Sequence, residues 1–208
     1  MPTFHGFGTD SLTLHAITNR LPELLRSLGD ASSPETAVVF FQPSFGHKGM
    51  SKKVTDLGRV DFGHFDAIVG TQKAVYLIDS LTERSPEVRN TLVEYDRIRQ
   101  YPHVIFRGYR DAWQEQKPES WMSFEAHQAE PFRVKFPRNK VAPFGSEIAS
   151  ALEFVLTSLQ DCGNELVDVV LYHRREDTMQ QPHEMIPNRF RLTISLYSTI
   201  NATCIVPL

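Results

Sequence analysis

Apolar residues recur along this chain in two rhythms, one helical and one strand-like. Leu14, Ile17, Leu21, Leu24, Leu25 and Leu28 follow one another at helical spacing, which places them on one stripe. Asp10 or Ser11 caps this element and Gly29 closes it. The stripe keeps register across Pro22, so a kink is expected there rather than a break. Ala37–Gln42, AVVFFQ, is a short apolar run of the kind that forms a buried strand. Phe62–Val69 and Ala74–Leu81 are rich in β-branched and aromatic residues and are joined by Gly-Thr-Gln, so they read as two paired strands. Ser85-Pro86-Glu87 then opens a helix with Val88, Leu92, Tyr95 and Ile98 on one face, and Tyr101-Pro102 ends it before a strand at His103–Arg107.

The region Asp111–Pro143 shows no clear period. Its Trp113, Trp121, Phe124, Phe132 and Phe136, interleaved with Arg133, Lys135, Arg138 and Lys140, suit either a base-stacking surface or an irregular segment pinned onto a core. Gly145-Ser146 starts a helix with Ile148, Leu152, Val155, Leu156 and Leu159 on its stripe and Gly163 past its end. Leu166–Tyr172 and Phe190–Tyr197 read as strands, and Asn201–Leu208 as a final edge strand. His173–Asn188, between the two strands, is a polar loop. The fold class expected from this order is α/β, a central mixed sheet flanked by helices. A single domain, 1–208, is expected, with a core over about 10–110 and the helix and strands of 145–208 packed on it.

Composition narrows the function without choosing it. A net charge of -3 argues against coating nucleic acid by bulk charge, so any such contact must come from a local patch. The most basic stretch is Pro43–Arg59, a Gly-containing loop with Lys48, Lys52, Lys53 and Arg59, suited either to phosphate contacts or to keeping a solvated loop soluble. Two cysteines are too few for a disulfide framework, and no apolar run is long enough for a membrane span. The expected setting is cytoplasmic. No Walker loop, dinucleotide Gly fingerprint, Gly-x-Ser-x-Gly elbow or zinc-ligand spacing is present.

The remaining chemistry is carboxylate. Asp66 and Asp79 each stand among apolar neighbours in the paired strands, where an ionised side chain is costly unless something pairs with it. An acid near the end of one strand and another in the next resembles the PD-(D/E)XK nuclease superfamily, the restriction-endonuclease-like fold, over roughly Ala37–Ile105. The resemblance implies a metal site at Asp66 and Asp79, filled by Mg²⁺ or Mn²⁺ and completed by a carbonyl near Ser80 and waters. It also implies metal-dependent cleavage of DNA phosphodiesters. Glu23 is the first-helix acid that joins such a site in some members; otherwise it is a solvated surface residue.

The family motif places a Lys two residues after the second acid, and this chain has Leu81. Three readings follow: a non-catalytic relative that binds nucleic acid or a protein, a cation supplied by another element, or a laboratory substitution of the motif Lys. Lys73 shares strand parity with Asp79 but lies six residues away, roughly 20 Å, and cannot serve. Without a metal, Asp66 and Asp79 would be strand-end carboxylates bonded to backbone amides. Partners compatible with this picture are DNA, a second copy of the chain or another protein.

Overall fold

The structure is a computed structural model that describes residues 9–46, 58–82, 91–175, 190–197 and 203–207. Its elements are α1 (Thr9–Ser27), a 3₁₀ turn (Pro34–Thr36), β1 (Val38–Phe41), β2 (Ser44–Phe45), β3 (Gly63–His64), β4 (Ala67–Gly70) and β5 (Ala74–Thr82). They continue with α2 (Thr91–Gln116), α3 (Trp121–Lys135), α4 (Glu147–Ser158), β6 (Glu165–Arg175), β7 (Phe190–Tyr197) and β8 (Thr203–Pro207). Two compact units result, each discontinuous in sequence: 1–41 with 66–99 and 162–208, and 42–65 with 100–161.

The first unit holds a six-stranded mixed sheet in the order β1-β4-β5-β6-β7-β8. β5, β6 and β7 run parallel to one another, while β1, β4 and β8 pair antiparallel to their neighbours. One face packs on α1, whose Ile17, Leu21, Leu24 and Leu25, with Leu28 just past its end, meet Val69, Tyr76, Ile78, Val167, Val169 and Leu171. Burial of these large apolar side chains contributes about 1.5–3 kcal/mol apiece before chain entropy is counted. On the opposite face Leu81, Val170, Tyr172, Phe190, Leu192 and Ile194 gather around Tyr95 of α2. The sheet is therefore covered by helix on both faces, as the sequence periods predict. α1 bends as expected: Arg20 leaves helical geometry (φ -132°, ψ 18°) two residues ahead of Pro22, whose ring disfavours helical backbone before it.

Asp30 ties the end of α1 to the sheet. Its carboxylate accepts from the Thr71 hydroxyl (2.7 Å), the Tyr76 hydroxyl (2.8 Å) and the Ser32 amide (2.8 Å). Burial pushes this carboxyl up, but the hydrogen bonds outweigh it and hold the group at about 2. Lys73 donates to the carbonyl of Gly29 at 2.6 Å, so its charge sits at the carboxyl end of α1.

The second unit is built on aromatics. Phe45 of β2 stacks on Phe62 with ring centroids 5.0 Å apart, and Phe65, Phe106, Tyr109, Trp113, Trp121, Phe124 and Phe132 extend the cluster. Trp113, Trp121, Phe124 and Phe132 are thus core residues, which excludes them from a base-stacking surface.

Several expected elements change. His103–Arg107 is helical, because α2 runs through Pro102 to Gln116. The buried stripe Pro102, Ile105, Phe106, Tyr109 and Trp113 outweighs the one backbone bond that proline removes. Trp121–Lys135 is a helix, begun by Ser120, whose hydroxyl accepts from the Ser123 amide. Only Trp121, Phe124 and Phe132 of it are buried and Pro131 lies inside it, so it leaves no clear period. The expected strand Phe62–Val69 is two pieces: β3 pairs with β2, and β4 joins the main sheet. β1 is an edge strand rather than a buried one, with Val39 and Phe41 exposed. The expected helix start at Ser85-Pro86-Glu87 lies outside the described residues, as does most of the polar loop after His173. No described helix is long and apolar enough to cross a membrane.

Candidate functional site

Asp66 is the residue immediately before β4, and the register of β4 on β5 sets Ala67 opposite Ile78. Continued by one residue, that antiparallel register sets Asp66 opposite Asp79. Side chains alternate along each strand, so both carboxylates project to the sheet face opposite α1. Both are buried, Asp66 at 7% and Asp79 at 1% exposure. The sequence-predicted pair does converge.

The residue that binds the two strands together here is Ser80. Its backbone amide donates to Asp66 Oδ2 at 2.6 Å, while its side chain turns to the other face, where the Ser80 and Thr13 hydroxyls share a 2.6 Å hydrogen bond. Asp66 is therefore a strand-end carboxylate bonded to a backbone amide, and at the same time a member of an acid pair. Burial and the neighbouring Asp79 charge push the Asp66 carboxyl up to about 6, against the pull of the Ser80 amide and of Arg99. A third acid adds to this: Asp10, in the first turn of α1, also raises Asp66. Glu23, the α1 acid singled out by sequence, stands thirteen residues further on, about 20 Å along a helix. It is half-exposed and pairs with Arg20 at 3.1 Å.

A cation does reach the site, from helix α2. Arg99 Nη1 lies 3.5 Å from Asp79 Oδ1, with the Arg99 side chain 22% exposed. The same guanidinium lies 5.6 Å from the centroid of the Tyr95 ring, one turn earlier on the helix. Burial pulls Arg99 down, but Asp79, Tyr95 and Asp66 outweigh that and hold the guanidinium above its ordinary value. Tyr95 in turn is pushed well above the usual phenol range by burial and by Asp79. Leu81, where the motif Lys would stand, is 3% exposed within the apolar cluster of Tyr95, Val170, Tyr172 and Ile194. Of the three readings of Leu81, a cation on another element is the one for which the structure supplies a residue. Sequence reading missed Arg99; the available signal was its place one turn beyond Tyr95 and next to Ile98, where the apolar helix stripe ends.

Arg59, in the second unit, is bound through Nε and Nη2 to both oxygens of Asp61 at 2.9 Å, and its guanidinium lies over the Tyr101 ring. Lys48, Lys52 and Lys53 lie outside the described residues.

The donor set fits a hard divalent cation in part. Among the described residues no three His, Cys, Asp or Glu side chains converge as a metal-holding group. A Mg²⁺ ion here would rest on Asp66, Asp79, the Ser80 carbonyl and waters, which is compatible with the one or two carboxylates that Mg²⁺ commonly takes. The charge balance favours such an ion. Asp79 and Asp10 both act on Asp66 against the pull of Arg99, so ionising Asp66 adds negative charge that a cation would offset. No protein-family model, curated protein or solved structure matches this chain.

Proposed function

We propose that this chain is a restriction-endonuclease-like protein whose acid pair binds Mg²⁺ or Mn²⁺ and acts on DNA phosphodiesters. The observation that carries this reading is the placement of Asp66 and Asp79 on one sheet face, on adjacent strands, with Arg99 reaching Asp79 from a helix. Bound there, the metal would supply Lewis-acid stabilisation of charge developing on a phosphate. Both carboxylates would hold the metal, with the Arg99 guanidinium 3.5 Å from Asp79 Oδ1. With no metal bound, burial and Asp79 hold the Asp66 carboxyl at about 6, so metal binding below that pH would release its proton. Arg99 stays charged and cannot be a base; its role is to position Asp79 and to offer positive charge to a phosphate oxygen.

A second reading, a non-catalytic nucleic-acid-binding or protein-interaction member of the same fold, is favoured by a different observation. Leu81 is sealed in an apolar cluster, and the cation that replaces its Lys already neutralises Asp79. One experiment separates the two: calorimetric titration with Mg²⁺ and Mn²⁺, fluorescence anisotropy of a labelled DNA duplex and nicking of supercoiled plasmid, for the parent, Asp79→Asn and Asp66→Asn. The nuclease reading expects metal binding and nicking that both variants lose. DNA binding without metal-dependent nicking selects the second reading, and absence of both metal and DNA binding overturns the nucleic-acid assignment.

A further inference from the structure

The register of β5, β6 and β7 places a second arginine on the face that carries the acid pair. Val170 stands opposite Asp79, and Tyr172 opposite Leu81. Arg174 therefore follows two residues later on the same face, beside Leu196 of β7. It sits at the carboxyl end of the three parallel strands, the end where open α/β sheets receive their ligands.

Arg174 is 6% exposed, and among the described residues it makes no ion pair or hydrogen bond. The side chain as a whole is therefore nearly sealed from water, with its charge facing no anion among the described residues. A permanently charged, planar donor held this way on a rigid strand is built for an anion that the described residues do not supply.

We propose that Arg174 binds a backbone phosphate of nucleic acid engaged at the Asp66–Asp79 site, a proposal that rests on the nucleic-acid reading above. Arg174 lies four residues along and one strand across from Asp79, roughly 14 Å at ordinary strand rise and spacing. That span corresponds to about four nucleotides of one duplex strand at ~3.4 Å each. The contact is to phosphate and not to a base, so it strengthens binding without regard to sequence.

The test is fluorescence anisotropy of a labelled 20-base-pair duplex at a series of salt concentrations, using the full chain, Arg174→Met and Arg174→Lys. Met keeps the buried stem and removes the charge; Lys keeps the charge, and thermal melts establish that each variant folds. The expected result for Arg174→Met is a slope of log affinity against log salt smaller by about 0.9. This corresponds to roughly eightfold weaker binding at 0.1 M salt, equal across unrelated sequences and with Lys retaining the slope. An unchanged slope in Arg174→Met overturns the proposal, and so does loss of inorganic-phosphate binding alone, which would mark a small-anion site instead. The outcomes are separable from those of the parent reading. If the parent binds DNA in an Arg174-dependent way but neither binds metal nor nicks, the nuclease reading fails and this one stands. If the parent nicks DNA while Arg174→Met keeps its slope, the reverse holds.

Discussion

Arg99 reaches the Asp79 carboxylate from helix α2, 3.5 Å away, on the sheet face where Asp79 stands beside Asp66. The pair is largely withdrawn from water, so removing one member leaves the other uncompensated. Arg99→Met is expected to lower stability by on the order of 3 kcal/mol, whereas Arg99→Met combined with Asp79→Leu is expected to recover much of that loss. Urea unfolding of the two single variants and the double closes the cycle. A double variant no better than the worse single one would mean that the pair is not coupled.

Asp66 makes stability depend on pH in an unusual direction for an acid. Its carboxyl moves from an ordinary value of 3.8 up to about 6 in the fold, so the folded chain holds the proton more tightly than the unfolded chain. Its contribution is therefore most favourable below about pH 4, and it weakens as pH rises through about 6, by on the order of 3 kcal/mol in all. Asp66→Asn, which can still accept from the Ser80 amide, is expected to flatten the stability profile between pH 4 and 6. Chemical unfolding at half-unit pH steps reads this directly, and a parent-like slope in the variant would refute the assignment.

Asp30 acts in the opposite sense and in a lower window. Its carboxyl is held at about 2, below its ordinary 3.8, by the hydrogen bonds of Ser32, Thr71 and Tyr76. The stability it contributes is present above about pH 4 and lost as pH falls towards 2, about 1–2 kcal/mol once solvent screening is allowed for. Asp30→Asn should unfold with a weaker acid dependence in that range while leaving the pH 4–6 region unchanged. The two variants together test whether the two carboxylates titrate independently.

Gly163 stands where the chain enters β6 and presses against the start of β5. A Cβ there would clash with the Lys73 carbonyl oxygen and come within 2.6 Å of the Ala74 nitrogen, both backbone atoms that cannot swing aside. Gly163→Ala is expected to cost about 1–3 kcal/mol, seen as a lowered melting temperature. Gly145, with nothing within 4 Å of its Cβ position but a φ of +81°, provides the contrast. There Ala strains the backbone without a clash, and a smaller loss is expected.

Leu81→Lys tests the strand position directly. Leu81 is 3% exposed among Tyr95, Val170, Tyr172 and Ile194, so an ammonium there loses hydration that Asp79, already paired, does not restore. The variant should be less stable than Leu81→Met by about 2–4 kcal/mol and should not gain nicking activity. A Lys variant as stable as the parent that cuts plasmid faster than the parent would place the cation the site uses on β5 and leave Arg99 a structural role.

What the sequence determined by itself is the part written in short-range periods. The α1 stripe with its kink, the strand character of β5, β6 and β7, the helix after Ser146 and the alternation that puts Asp79 and Leu81 on one face are local consequences of side-chain spacing. The tertiary structure decided what spacing cannot encode. It carried α2 through Pro102, because an aromatic stripe buried over several turns outweighs one missing backbone bond. It hid α3, where three buried residues in fifteen positions leave no period to read. It brought Asp10 rather than Glu23 within electrostatic reach of Asp66, and it delivered Arg99 to Asp79 across a gap of twenty residues. Which charges meet at a site depends on how helices pack on a sheet, and packing is a property of the whole chain rather than of any stretch of it.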